Sequence, residues 1–149
     1  MDIFMLLYLF LIVAPLCTFI HEVGHLIGAR MLKADQISMS IGSGKSLYTF
    51  KTKRIRISVQ PSLLLSGATS SERLRPYSSL EIAFITLCGP LCNILFCILF
   101  MILHTFYMND YLFLFMFLNG WIAIFNIIPF KVKDKQSDGY IIIKQIFEK

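Results

Sequence analysis

The chain has 149 residues, of which 56% are hydrophobic, and its mean hydropathy is +0.70. This is far more apolar than a soluble domain of the same size, so the composition excludes a water-soluble globular protein and predicts a single membrane domain, residues 1–149. The net charge of +5 comes from Lys and Arg grouped between apolar stretches, a distribution typical of topology-setting charge and unlike a nucleic-acid-binding surface.

The amino-terminal segment is long enough to cross a bilayer. Residues 3–20 form an unbroken apolar run, and residues 26–32 extend it beyond a short polar insert. At 1.5 Å per residue the first run alone spans roughly 27 Å, close to the hydrocarbon thickness. Asp2 stands where a signal peptide would carry basic residues, and no cleavage site follows. We therefore predict a retained membrane helix over about 3–32.

The segment at 36–66 has the pattern of strands. Ile55, Ile57 and Val59 alternate with polar residues, and a glycine turn follows Ile41. Alternation with β-branched residues is typical of half-buried strands. We predict a small β-sheet or hairpin on the membrane surface between the first two helices.

Two further apolar runs predict helices over about 79–107 and 111–130, joined by a short turn at Asn109 and Asp110. The remaining residues, 131–149, are read as a tail. The predicted fold class is thus an α-helical polytopic membrane protein with about three core transmembrane helices and a small membrane-associated sheet.

Basic residues predict the orientation in the membrane. They lie after the first helix and after the third, whereas the turn at 108–110 has none. The positive-inside rule places the amino terminus outside and the carboxy terminus in the cytoplasm, within a multi-pass protein of the cell membrane. The basic residues concerned are Lys45, Lys51, Lys53, Arg54, Arg56, Arg73, Arg75, Lys131, Lys133 and Lys135.

The sequence H-E-V-G-H at 21–25 carries the chemistry. Residues four apart share a helix face, so His21 and His25 can offer two imidazole nitrogens to one metal ion, while Glu22 can act on a water molecule beside it. The alternative is a set of polar residues at a membrane boundary. Such groups are costly inside an apolar helix, which favours a metal site.

A catalytic zinc site needs a third protein ligand. It should lie at the cytoplasmic end of another span, where Asp138 and Asp134 are both candidates, whereas His104 falls at the opposite face. The cysteines lie in apolar segments and are read as small buried hydrophobes. Cys88 and Cys92 share a helix face and form an alternative metal-binding pair.

Three motifs resemble the site-2 protease family of intramembrane zinc metalloproteases. H-E-V-G-H at 21–25 is similar to its first motif, G-P-L-C-N at 89–93 to its Gly-Pro-x-x-Asn element, and N-I-I-P at 126–129 with D-G at 138–139 to its Asn-x-x-Pro and Asp-Gly element. The link between the last two, at 130–137, is longer and more basic than the family pattern. This departure keeps Asp134 open as a substitute ligand.

The resemblance implies a zinc metalloendopeptidase with one Zn²⁺ per chain. His21, His25 and Asp138 would be its metal ligands and Glu22 its general base, with Asn93 and Asn126 contacting substrate or orienting the site. It also implies that the β-rich segment guides an extended substrate by strand addition.

The expected partners are the lipid bilayer and a substrate that is either a peptide precursor or a membrane-anchored regulator. The alternative functions are a catalytically silent membrane binding or immunity protein that keeps the fold, and a metal transporter. The presence of Glu22 favours hydrolysis, because a binding site needs no general base beside its ligands.

Overall fold

The computed structural model describes residues 2–133 and 135–147, apart from the side chains of residues 62–65. This part of the chain contains three helical segments that are long and apolar enough to cross a membrane. A four-stranded sheet lies between the first and the second of them along the chain. The predicted fold class is confirmed.

The first span runs from Ile3 to Met31. It consists of α1 (Ile3–Tyr8), a π-helical segment (Leu9–Val13) and α2 (Ala14–Met31). Pro15 lies in the first turn of α2, where its missing N–H is tolerated. The span ends before Lys33, whose φ of 60° is incompatible with continued helix.

The second and third spans are α3 (Ser79–Phe106) and α4 (Asp110–Ile127). A capping box starts α3, because Ser78 accepts from the Glu81 N–H and the Glu81 carboxylate accepts from the Ser78 N–H. Helix α4 ends three residues before the predicted boundary. The reason is Pro129, which forces Ile128 into an extended conformation with ψ of 124°.

The sheet is larger than predicted and continues beyond residue 66. Its order is β2-β3-β1-β4, with β1 parallel to β3 and antiparallel to β4. Because β4 is the terminal strand of the sheet, only one of its edges pairs with another strand among the described residues. The strands are β1 (Gln36–Ser43), β2 (Tyr48–Lys51), β3 (Ile55–Val59) and β4 (Ser62–Glu72).

Small residues bring α2 and α3 together. A Cβ on Gly24 would collide with the Cys88 carbonyl, and one on Gly28 would lie 2.8 Å from Cys88 Sγ. The spacing is the small-xxx-small pattern that lets membrane helices approach closely. The Cys88 thiol therefore packs against α2, and all four cysteines of the chain are free thiols.

Two contacts attach the sheet to the helices. Ile37 of β1 packs with Ala29 and Ala34 in a buried cluster at the end of α2. Arg73, just after β4, donates to both carboxylate oxygens of Glu81 at 2.9 Å and to the Leu32 carbonyl at 3.0 Å. The sheet is thereby fixed against one end of the bundle.

The segment after α4, treated as a tail from the sequence, is structured. It forms a hairpin of β5 (Lys131–Val132) and β6 (Lys135–Gln136), followed by α5 (Asp138–Phe147), which packs against α3 and α4. Asp134 lies outside the described residues, so its role as a substitute ligand stays a prediction.

Candidate metal centre

His21, Glu22 and His25 lie in the middle of α2, in the second half of the first span. The helix places the two imidazoles one turn apart, with their rings perpendicular and their Nε2 atoms 3.1 Å from each other. His21 and Glu22 are buried, with 7% and 5% of their surface exposed. The His21 and Glu22 side chains therefore point into the protein instead of toward lipid.

Asp138, the first residue of α5, joins the two histidines. Its Oδ2 atom is 3.0 Å from Nε2 of His21 and 3.6 Å from Nε2 of His25. Potential ligand atoms of the three residues all lie within 4.8 Å of one another. By contrast, His104 lies at the far end of α3, where its ring faces the Asn109 N–H.

The outer nitrogens of both imidazoles contact oxygen acceptors. Nδ1 of His21 is 2.7 Å from the Asn93 Oδ1, and Nδ1 of His25 is 3.0 Å from the Ile85 carbonyl. A carbonyl oxygen can only accept, so each Nδ1 carries the proton in these contacts. Each Nε2 then presents a lone pair to the centre.

The donor set fits a metal cation. Three groups with lone pairs converge, and the buried Oδ2 of Asp138 accepts no hydrogen bond from any described residue. Such an arrangement is repulsive unless a positive charge lies among the atoms. Two neutral imidazoles and a carboxylate are also a ligand set of catalytic zinc sites, with nitrogen and oxygen donors and one position left open.

A residue of the sheet holds the Glu22 side chain in place. The Thr69 hydroxyl of β4 donates to Oε2 of Glu22 at 2.6 Å. A carboxylate that accepts one hydrogen bond keeps its other oxygen for a second partner. The neighbouring Gly67 leaves room for this approach, because a Cβ there would lie 2.6 Å from Glu22 Oε1.

A cavity of about 660 Å³ opens beside these residues. Its walls come from α2, β4, α3, α4 and the segment around Asp138. Asn126 lines it, although its amide nitrogen donates to the Ile122 carbonyl of its own helix at 3.0 Å. The apolar walls include Ile85, Trp121, Ile122, Phe125, Phe130 and Ile141.

Asn93, which was predicted to contact substrate or to orient the site, contacts His21. It is 0% exposed and lies outside the cavity lining, with its Oδ1 against His21. Contact with substrate and orientation of the site both stay predictions for Asn93.

The hairpin and the start of α5 hold Asp138 beside the two histidines. The Ser137 hydroxyl donates to the Ile128 carbonyl at 2.7 Å and accepts from the N–H groups of Phe130 and Tyr140. A Cβ on Gly139 would collide with the Ile127 carbonyl. The longer link at 130–137 therefore folds out as a hairpin and returns Asp138 to the end of α4.

Gly89 lies beneath the two imidazoles. A Cβ at this position would be 3.0 Å from Nε2 of His21 and would collide with the ring of His25. Only glycine lets the backbone of α3 approach the rings this closely. Gly89 thus leaves the space that the two imidazoles occupy.

Three membrane-spanning helices around a buried His-His-Asp group define a polytopic membrane protein with a candidate metal centre. The model of Peptidase family M50 matches residues 8–111, more than half of the 149-residue chain. The chain belongs to this family, the site-2 protease family of zinc metalloproteases. The match includes His21, Glu22 and His25 and ends before Asp138. No curated protein matches the chain.

Sequence reasoning missed three residues that bond to the centre or to its neighbours: Thr69 bonds Glu22, Asn119 bonds Asn93, and Ser137 precedes Asp138 and caps α5. Ser137 had a signal, since a serine before Asp-Gly and an apolar run is typical of a helix start. Asn119 also had one, as a buried amide in an apolar span. Thr69 had none, because its partner Glu22 is 47 residues away.

Proposed function

We propose that the chain is a zinc metalloendopeptidase that hydrolyses peptide bonds of membrane-embedded or membrane-associated substrates. The observation that carries the proposal is that the His-His-Asp group, Glu22 and the terminal strand β4 line one cavity. Membership of Peptidase family M50 supports the same reaction class.

The proposed roles follow from the geometry. His21, His25 and Asp138 would hold one zinc ion, which when bound polarises the scissile carbonyl and lowers the pKa of a water molecule. Glu22 takes the proton from that water as it attacks and returns it to the leaving amine. Thr69 keeps the Glu22 carboxylate turned toward β4 by donating to Oε2, which leaves Oε1 to accept and return the proton.

The substrate is expected to bind in an extended form. A helix hides its carbonyls, so a membrane-spanning substrate must unwind before cleavage. Residues 67–69 of β4 line the cavity, and β4 is the terminal strand of its sheet. Strand addition to β4 would satisfy the backbone of the unwound segment and present its carbonyl to the centre.

The proposed orientation has the amino terminus outside and the metal centre at the cytoplasmic end. The carboxyl end of α2, the start of α3 and the end of α4 lie at one end of the bundle, near most of the basic residues. In a cysteine-free variant, Asn109→Cys should react with an impermeant thiol reagent in intact cells and Lys133→Cys should not. The reverse labelling would contradict this orientation.

The function is tested with purified, zinc-loaded protein in lipid vesicles. Single-span peptides carry either a Gly-Asn pair or only Leu at the depth of the centre, and products are identified by mass spectrometry. We expect cleavage of the Gly-Asn peptide, slower cleavage of the Leu peptide and none by Glu22→Gln.

Equal rates for the two peptides would contradict the unwinding requirement. Cleavage by zinc-loaded Glu22→Gln at the wild-type rate would contradict the role of Glu22. A zinc-loaded protein that cleaves no member of a peptide series varied around the Gly-Asn pair would contradict the proposed function and favour a silent binding protein.

A further inference from the structure

We propose that Asn119 is a positioning residue of the metal centre, which acts through Asn93 to hold His21 with its Nε2 lone pair toward the metal. The inference rests on the proposed zinc site. Asn119 lies on α4, hydrogen-bonds to Asn93, Cys17 and Phe115 and to none of the three ligands, and does not line the cavity.

Asn93 and Asn119 are both 0% exposed within membrane-spanning helices. Two buried amides in this environment are costly unless their polar atoms are hydrogen-bonded. Each has one carbonyl oxygen and two N–H donors to satisfy. The partners that they find form one connected network across three helices.

The Asn93 amide has one orientation that satisfies its neighbours. Its nitrogen donates to the Cys17 carbonyl at 3.1 Å and to Oδ1 of Asn119 at 2.8 Å, which uses both N–H groups. Its oxygen then faces Nδ1 of His21 at 2.7 Å. A reversed amide would set its oxygen against two other acceptors.

The Asn119 amide is oriented in turn by its own helix. Its nitrogen donates to the Phe115 carbonyl at 2.8 Å and to Cys17 Sγ at 3.1 Å. Because a backbone carbonyl can only accept, the nitrogen must face it and the oxygen must face Asn93. The Phe115 carbonyl thus sets the direction of the Asn119 amide, and the Asn119 amide in turn sets that of Asn93.

The end of this network selects the tautomer of His21. The Asn93 oxygen requires a proton on Nδ1, so the neutral imidazole carries its lone pair on Nε2, the atom that faces His25 and Asp138. Outer partners of metal-bound histidines usually fix ring orientation in this way. Without Asn119 the Asn93 amide keeps only the Cys17 carbonyl to fix its direction and leaves one buried N–H without an acceptor, so its hold on Nδ1 of His21 weakens.

A double-mutant cycle on zinc affinity tests this inference. Wild type, Asn93→Ala, Asn119→Ala and the double variant are purified in detergent, and zinc affinity is measured by competition with a chromogenic chelator. We expect Asn93→Ala to weaken zinc binding by about 10- to 100-fold, as loss of an outer partner does, and Asn119→Ala to weaken it by no more than about 10-fold, because it acts one bond further from His21. In the Asn93→Ala background, Asn119→Ala should change the affinity little, because its route to His21 is already broken.

Zinc affinity of Asn119→Ser provides a second test if the alanine variant does not fold. Serine can bond the Phe115 carbonyl within its own helix but is too short to reach Asn93, so zinc binding should weaken as in Asn119→Ala. Thr105→Val is the control, because it removes a hydroxyl that donates to the Ile102 carbonyl of its own helix, at the far end of α3 and outside the cavity lining. It should keep wild-type affinity.

Three results would overturn the inference. Asn119→Ala and Asn119→Ser could bind zinc as wild type does while melting at lower temperature, which would make Asn119 an interhelical contact only. The two asparagine effects could be additive, which would exclude a shared route. In both cases zinc-dependent cleavage, and so the proposed function, would stand. A wild type that binds no zinc would overturn the inference and the proposed function together.

Discussion

The two ends of the helical bundle are held together by different forces. At one end, which we call the apolar end, Val13, Cys17, Leu114 and Phe115 form a buried cluster, and the Phe100 and Phe115 rings stack at 4.8 Å. The site end contains His21, His25, Glu22 and Asp138. Cys17 belongs to both, since its backbone carbonyl and its sulfur accept from the two asparagines.

The comparison shows how a small membrane protein can bury a polar centre. Lipid tails are as apolar as leucine, so the apolar end is held by shape and close contact more than by a hydrophobic driving force. At the site end each polar group is costly and must find a partner. Asn119, Asn93 and His21 meet this requirement by bonding to one another.

The largest effect expected at the site end comes from Gly89→Ala. The added methyl group would collide with the imidazoles, so zinc affinity should fall by more than about 100-fold, beyond the usual effect of an outer partner. Gly120→Ala is the matched control in α4, because its Cβ meets only Cys97 Sγ at 3.3 Å. Chelator competition measures both, and equal affinities would contradict the close packing of α3 beneath the rings.

The apolar end is weakened by Leu114→Ala. Leu114 is 8% exposed, and its removal should lower the free energy of unfolding by about 2 kcal/mol, at the low end of the range for water-soluble cores. Zinc affinity should change little. Leu99→Ala, at a position 45% exposed, is the control and should be near neutral in a denaturation series. If Leu114→Ala lost zinc before it lost stability, the separation of the two ends would be wrong.

Within the site end, Thr69→Val separates orientation of Glu22 from metal binding. Loss of a hydrogen bond to a charged group should lower the cleavage rate by about 10-fold, while zinc affinity is retained. Thr69→Ser keeps the hydroxyl and should preserve most of the rate. A valine variant that cleaves at the wild-type rate would show that the contact between β4 and Glu22 has no part in the reaction.

The smallest of these effects is expected for Ser137→Ala. Ser137 caps the start of α5, and loss of such a cap costs about 1 kcal/mol, or roughly a 5-fold weaker zinc affinity if the cap serves to place Asp138. Ser46→Ala removes an exposed serine of the sheet region and should leave the affinity unchanged. An unchanged affinity in Ser137→Ala would mean that Gly139 and the hairpin suffice to position Asp138.

The membrane spans could be predicted from the sequence because hydropathy and run length depend on local composition alone. The i, i+4 spacing of His21 and His25 was equally local. The end of α4 was missed although Pro129 signals it, because the apolar run continues to Phe130.

Other features depended on contacts between distant residues. Asn119 bonds to Asn93, 26 residues away in the sequence, and to Cys17, 102 residues away. The periodicity of hydrophobic residues does not indicate contacts between such distant positions. The hairpin after Phe130 and helix α5 are short elements whose positions depend on Ser137 and on packing against α3 and α4. For Asp138, residue spacing left Asp134 as a competitor, and the resemblance to known motifs favoured Asp138.

We propose that His21, His25 and Asp138 bind one zinc ion and that Glu22 does not. The direct measurement is the zinc content of the detergent-purified protein by elemental analysis, for wild type, Asp138→Ala and Glu22→Gln side by side. We predict about one zinc per chain in wild type and in Glu22→Gln, as expected for a single catalytic site, and almost none in Asp138→Ala. A wild type without zinc under metal-replete conditions, or an Asp138→Ala variant that keeps its full content, would contradict the account.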